Sequence, residues 1–347
     1  MDLSKIFLKD ACPTPVGGQA VMEGIMMKGL KRTAVAIRLP DGRIHMKTQP
    51  NKTLPKWTKI PVIRGVVSFV TSLVQGTGIL MYSADVLEAN WPEEEEAGED
   101  KMEAWLNKHF GEKGAWNLMI YLSVIFALAL TIGMFILLPT VVANWLKPVI
   151  ESDFVFNLVE GLMRIVIFVV YIAIISQMKD IKTVFQYHGA EHKTIHCFEN
   201  NLELTPANAQ QFYTLHPRCG TSFLLFVMVI SFVLHLFLGW PDLALRIISR
   251  LLLVPVVAGL SYELLKWAGR SDNWMVRVLS LPGLYLQKLT TKEPSDEQLE
   301  VAICAMKAVM VPDETPYFEG ICDLEGNLIE EKSYERKSKK EMAVERA

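Results

Sequence analysis

The apolar residues of this chain fall into long blocks instead of alternating with polar ones. A helix that crosses the hydrocarbon core of a bilayer needs about 20 mostly apolar residues. Four segments reach that length: 117–138, 156–176, 221–240 and 243–268. Only Pro241 and Asp242 separate the last two, which predicts a tight helical hairpin. Trp116, Trp145, Trp240 and Trp267 stand near block ends, where aromatic rings anchor helices at the interface. A fifth stretch, 62–87, is interrupted by Arg64, Ser68, Thr71, Ser72, Gln75, Gly76 and Gly78. It reads as an amphipathic or re-entrant helix at the inner face.

Basic residues orient the blocks. Fifteen Lys and Arg precede Trp116, four lie within 177–220 and eleven follow Ala268, whereas the opposite loops carry only Lys147. The positive-inside rule then puts both termini and the 177–220 loop in the cytoplasm, in a multi-pass protein of the cell membrane. The predicted fold class is a mainly α, integral membrane helical bundle of four spans with a small β-containing N-terminal cytoplasmic region. Its parts are an N-terminal region (1–61), a helix with an acidic linker (62–115), a membrane domain (116–268) and a C-terminal cytoplasmic helix with a charged tail (269–347).

Outside the blocks, 33–39 and 43–49 are strand-like and Pro40-Asp41-Gly42 supplies a turn, predicting a hairpin. The acidic run 92–100 reads as a solvated linker. Ser295 precedes Asp296, Glu297 and an amphipathic run, the signature of a capped surface helix. The charged tail from Glu330 has the composition of a disordered segment.

Composition narrows the function classes. The net charge of −3 offers no electrostatic footprint for nucleic acid. No apolar core of signal-peptide length precedes Cys12. Five scattered cysteines do not form a disulfide framework, and reduced thiols are expected.

The candidate chemistry is concentrated in 177–220. Four of the seven histidines lie here: His188, His192, His196 and His216. His188 and His192 are four apart, one turn on one helix face, close enough to share a metal ion. Glu191 precedes the second histidine, giving the H-x-x-E-H order of inverted zinc proteases, where the carboxylate is the general base. His196 lies roughly 11 Å along a regular helix from His188, too far for the same ion. The remaining ligand must come from elsewhere, and His216, Cys219 and Glu263 are the candidates. Lys193 and Arg218 are candidates to stabilise developing negative charge. A divalent ion is expected, with zinc favoured by the imidazole, carboxylate and thiolate donors. The rival is a closed structural site built from His196, Cys197, His216 and Cys219. His235 reads as a hydrogen-bonding residue within the bundle, and His45 and His109 as surface residues. Glu160 and Arg164 share a depth with Arg246 and Arg250, which predicts cross-helix ion pairing, with a substrate pathway as the sharper alternative.

Three ordered motifs carry a family resemblance: Gly17-Gly18-Gln19-Ala20-Val21-Met22-Glu23-Gly24, Tyr187-His188-Gly189-Ala190-Glu191-His192-Lys193 and His216-Pro217-Arg218-Cys219-Gly220-Thr221. Leu281-Pro282-Gly283 and Thr290-Thr291-Lys292-Glu293-Pro294 extend it. From about Gly17 to Val309 the chain resembles the YqhQ family of bacterial membrane proteins. The resemblance implies a multi-pass membrane protein, often labelled a metal-dependent enzyme, with no assigned substrate.

Two function classes follow. One is a membrane-embedded metal-dependent hydrolase acting at the cytoplasmic face on a lipid-linked molecule or membrane peptide. The other is a non-enzymatic scaffold, assembly or insertion factor, or transport-complex subunit, in which the metal braces the loop. Either fits a homo-oligomer or a larger membrane complex.

Overall fold

The computed structural model describes residues 6, 12–53, 55–91, 109, 118, 122–123, 125–127, 129–146, 148–150, 152–237, 243–268 and 273–332. The acidic run 92–100, the turn at Pro241 and Asp242, and the tail beyond 332 lie outside them. The chain is mainly helical and divides into two compact units. One comprises Met1–Trp91, Ile172–Ile230 and Ile247–Ala347; the other comprises Pro92–Tyr171 and Ser231–Arg246.

The first unit is built on an antiparallel sheet. The expected hairpin forms as β3 (Arg32–Arg38) and β4 (Ile44–Pro50), with Gly42 at φ +86° in the turn. It is the middle of something larger. β1 (Gly17–Val21) and β2 (Gly24–Lys28) add on one side, and β5 (Glu319–Cys322) and β6 (Leu328–Glu331) on the other, in the order β1-β2-β3-β4-β5-β6. The glycine-rich motif is thus a strand pair, and the first residues of the supposed tail, Glu330 and Glu331, belong to a strand. Strand side chains alternate between faces. Ile25, Met27, Ala34, Ala36, Ile44 and Met46 bury on one side; Val21, Met26, Val35 and Ile37 bury on the other.

Three helices cover these faces. The first face is packed by α4 (Lys179–Glu199) and α9 (Asp296–Met310). α9 is not the expected surface helix. Its capping box at Ser295 and Gln298 is present, but Leu299, Val301, Ala302, Ile303, Cys304, Ala305 and Met306 are all buried. The small residues Ala302, Ala305 and Ala308 let it sit close to the strands, so both its sides are enclosed. The second face is packed by α1 (Ile63–Glu88) through Ile79, Val86 and Leu87. His45, expected at the surface, is fully buried under α1, where its Nε2 lies 2.8 Å from the Tyr82 hydroxyl. His109 is exposed, as expected.

Among the described residues, three helices are long and apolar enough to cross a membrane: Ile63–Glu88, Ile125–Ala143 and Phe154–Ile175. The expected third block forms α6 (Gly220–Leu236), which is shorter at 17 residues, and the fourth forms α7 (Leu243–Ala268). Residues 62–87 form one continuous helix, yet its later turns are engaged with the sheet. Lys28 donates to Gln75 Oε1 (2.9 Å) and Gln19 to the Gly76 carbonyl (3.2 Å). Its first half meets α6 and α7 instead: Phe69 packs against Phe223, and Arg64 pairs with Glu263.

In the second unit the helix ahead of Pro139 widens to a π-helical stretch, Gly133–Leu137, and continues as α2 (Leu138–Leu146). Proline has no N–H to return to the preceding turn. Arg164 of α3 (Asp153–Ile175) supplies a donor there, its Nε reaching the Phe135 carbonyl at 3.3 Å. Glu160, buried, pairs with Arg164 on its own helix and accepts from Thr140 at 3.0 Å. The ion pairing expected of this depth is therefore satisfied at least partly within α3. The side chains of Arg246 and Arg250 lie outside the described residues. His235 bonds to Ser231 one turn earlier in α6. All five cysteines are free thiols.

The burial of α9 orders two stabilities. Leu299→Ala should cost about 2–5 kcal/mol by cavity formation, and Ser295→Ala about 1 kcal/mol by loss of the cap. Unfolding of the two variants in detergent reads the difference; a surface α9 would make the leucine change the milder one.

Candidate metal centre

α4 carries the histidine row. It starts at Lys179 after an extended Met178 and runs to Glu199, and from Gly189 onward almost every residue is buried, polar ones included. Burial here is unusual for a sequence this polar, and it is made possible by bonds to two neighbouring segments. One is the stretch from α5 (Pro206–Gln210) to α6. The other is the end of α8 (Trp274–Thr290) and the extended residues after it. Gly189 lets the second segment approach, since a Cβ there would stand 2.0 Å from the Lys292 carbonyl oxygen.

The ring orientations are set by backbone carbonyls. His188 Nδ1 lies 2.8 Å from the Thr290 oxygen, and His192 Nδ1 bonds the Thr214 oxygen. A carbonyl only accepts, so each Nδ1 carries the proton and each Nε2 presents a lone pair. His188 Nε2 faces Cys219 Sγ at 3.1 Å. His192 Nε2 is buried and has no hydrogen-bond partner. The two rings are 4.4 Å apart, centroid to centroid. The three potential ligand atoms of His188, His192 and Cys219 lie within 4.8 Å of one another.

Electrostatics favour a ligand-ready state. Burial, the largest influence, holds the His192 imidazole down at about 4, so it is neutral near pH 7. Burial pushes the Cys219 thiol up, against the hydrogen bonds it shares with Thr221. Glu191 lies three residues after His188 and next to His192, and its carboxyl turns toward Gly18 of β1 and is not among the three gathered ligand atoms. Its carboxyl is buried and desolvation raises it to about 7, against the opposing pull of His188. It rests on the Gly18 amide, and a Cβ at Gly18 would come within 2.8 Å of the Glu191 carboxyl carbon. The glycine of the N-terminal motif is therefore the floor beneath the acid of the second motif.

A second group adjoins the first. His196, Glu199 and His216 also place ligand atoms within 4.8 Å, and the His196 and His216 rings are 4.6 Å apart. Its chemistry is less suited to a cation. Arg218 pairs with both oxygens of the buried Glu199, which also accepts from the Thr14 amide at 2.7 Å. A guanidinium already neutralises the carboxylate that an ion would need. His216 lies 3.7 Å from Glu199 and is braced by Gln287, which accepts from its N–H (2.8 Å) and donates to its carbonyl (2.9 Å).

Several expected residues are placed elsewhere. Glu263 is in neither group; its carboxylate binds Arg64 through both oxygens and accepts from the Val62 amide at 3.3 Å. Lys193 donates to Gln210 at 3.1 Å and pairs with Glu293 at 2.8 Å, so its charge braces α4 against its neighbours and is not directed at the cysteine. Arg218 is committed to Glu199. Cys197 hydrogen-bonds to the carbonyls of Leu202 and Glu203 and joins no group. Glu199 escaped the sequence reading, although its place three residues after His196 set it on the same face.

The molecule is thus a mainly helical protein with apolar helices of membrane-crossing length and a sheet-backed cluster of His and Cys that could hold a metal ion. Residues 60–311 match the family described as "Protein of unknown function (DUF1385)", and the chain belongs to that family. It is 38% identical over 303 residues to "Uncharacterized protein YqhQ" of Bacillus subtilis (strain 168), covering 85% of this chain and 92% of the relative. The resemblance carried by the three motifs is therefore confirmed. No solved structure matches the chain.

The Arg218–Glu199 pair, whose carboxylate is buried, and the Arg64–Glu263 pair, about a quarter exposed on both sides, should respond differently to loss of charge. Glu199→Gln leaves a guanidinium facing a buried amide and should destabilise by about 3–5 kcal/mol; Glu263→Gln should cost about 1 kcal/mol or less. Thermal unfolding of both variants checks the order.

Proposed function

We propose that this protein is a membrane-embedded, metal-dependent hydrolase whose ion is held by His188, His192 and Cys219, with Glu191 as proton carrier. One observation carries the reading. Two neighbouring imidazoles have their Nδ1 protons fixed by carbonyls, so their bare Nε2 atoms converge beside a thiol. One of them, His192 Nε2, is buried with only the Cys219 thiol near it. Buried polar atoms without partners call for an explanation such as an ion, and His216 Nε2 of the adjoining group is in the same state. Zinc suits this donor set.

A bound divalent ion would supply Lewis acidity and lower the pKa of a water at a position the three protein ligands leave open. Glu191, a buried carboxyl next to His192 in sequence, is the group proposed to take and return a proton. Gly18 holds that carboxyl in place.

The three apolar helices support membrane insertion. α1 would enter only in part. Its 26 residues span roughly 39 Å, but in its second half one face is buried against the sheet through Ile79, Val86 and Leu87. That packing agrees with a cytoplasmic sheet and cytoplasmic termini, the orientation the basic residues favour. The substrate is a lipid-linked molecule or membrane peptide reached from that side.

The deep burial of Glu191 and His192 favours a second reading, a structural site in a scaffold or assembly factor. Two sets of variants separate them. His188→Ala, His192→Ala and Cys219→Ala should each abolish stoichiometric metal in purified protein, measured by mass spectrometry of the elements. Glu191→Gln should retain the metal and fail to complement a deletion strain. Full complementation by Glu191→Gln would leave only the structural reading.

A further inference from the structure

α8 presents two different faces. Ser280, Leu284, Gln287 and Thr290, at helical spacing, are buried. Gln287 on this face holds both backbone groups of His216 and the Ser222 hydroxyl (3.2 Å), and the Thr290 carbonyl orients His188. The opposite face is apolar and open: Trp274, Met275, Val278, Leu279 and Tyr285 are between 42% and 70% exposed. A helix on a water-facing surface turns its polar side outward; here the glutamine points in and the tryptophan points out.

We infer that the outward face of α8 lies in the bilayer interface, making α8 a lipid-contacting anchor attached directly to the metal cluster. The inference rests on the membrane location proposed above and adds the depth of the cluster, at the headgroup level. Three features identify the occupant as lipid. The stripe has Trp274 at one end and Tyr285 near the other, followed by Lys288 with its Nζ 5.1 Å from the Tyr285 ring centre, an arrangement that suits apolar tails on one side and headgroups on the other. α8 follows α7, whose Leu260 and Trp267 are also exposed apolar residues of the same unit. The stripe formed by Trp274, Met275, Val278, Leu279 and Tyr285 carries no charged side chain, which suits contact with lipid tails.

The test uses the full chain in phosphatidylcholine–phosphatidylglycerol vesicles with Cys12, the exposed thiol, replaced by serine. Nitroxide labels go at Met275→Cys, Val278→Cys and Leu279→Cys, with Val166→Cys on α3 as the lipid reference and Glu325→Cys as the water reference. Power-saturation measurements compare collision with oxygen, which partitions into lipid, and with a water-soluble nickel chelate. Labels at 275, 278 and 279 should favour oxygen several-fold, as at 166. Preference for the nickel chelate, as at 325, overturns the inference, and so does shielding from both, which would mean a protein covers the face. If 166 reports lipid while the three do not, only the α8 assignment fails; if 166 also reports water, the membrane location fails with it. Trp274→Phe, which preserves the apolar surface, should remove part of the fluorescence quenching by brominated lipid, and unchanged quenching contradicts the assignment.

Discussion

The structure depends on how a helix with four ionisable or imidazole side chains in a row can be buried. From Glu191 to His196 the side chains of α4 are nearly all out of water. An unpartnered polar group in that position costs of the order of 1–3 kcal/mol. The fold answers by bringing carbonyls to the row: Thr290 to His188, Thr214 to His192 and Leu215 to His196. Each bond fixes a ring and decides which nitrogen is left bare. The same bonds draw the α5–α6 segment and the end of α8 onto α4, so the packing of the first unit and the readiness of its donors are one arrangement.

The sheet extends that arrangement to the N-terminus. β1 passes along α4 with Gly18 under Glu191, and Glu199 at the far end of the helix accepts from Thr14. Arg218 neutralises Glu199 and so holds the loop in which Cys219 follows directly. A charge that looked available for catalysis is used instead to hold the segment that carries Cys219. The second histidine group consequently reads as support for the first.

What the sequence disclosed and what it withheld follow from the range of the interactions. The helical face shared by His188 and His192 is local periodicity and was legible, as were the β3–β4 hairpin and the Ser295 cap. Cys219 could be named only as one of several partners, because proximity across 31 residues is tertiary. Glu263 had the same outward signs, but Arg64, 199 residues away, claims it. The joining of β5 to β4 was illegible for the same reason, and with it the burial of α9 and His45. The apolar blocks showed where helices lie, yet not that α1 would use half its length against the sheet, since contact with strands and contact with lipid require the same apolar surface.

X-ray absorption at the metal edge of the purified protein tests the central claim most directly. The account predicts a first shell with one sulfur at about 2.3 Å and two or more nitrogen or oxygen atoms at about 2.0–2.1 Å, and loss of the sulfur in Cys219→Ser. A metal shell with no sulfur, or protein isolated gently and found to hold no metal, would contradict it.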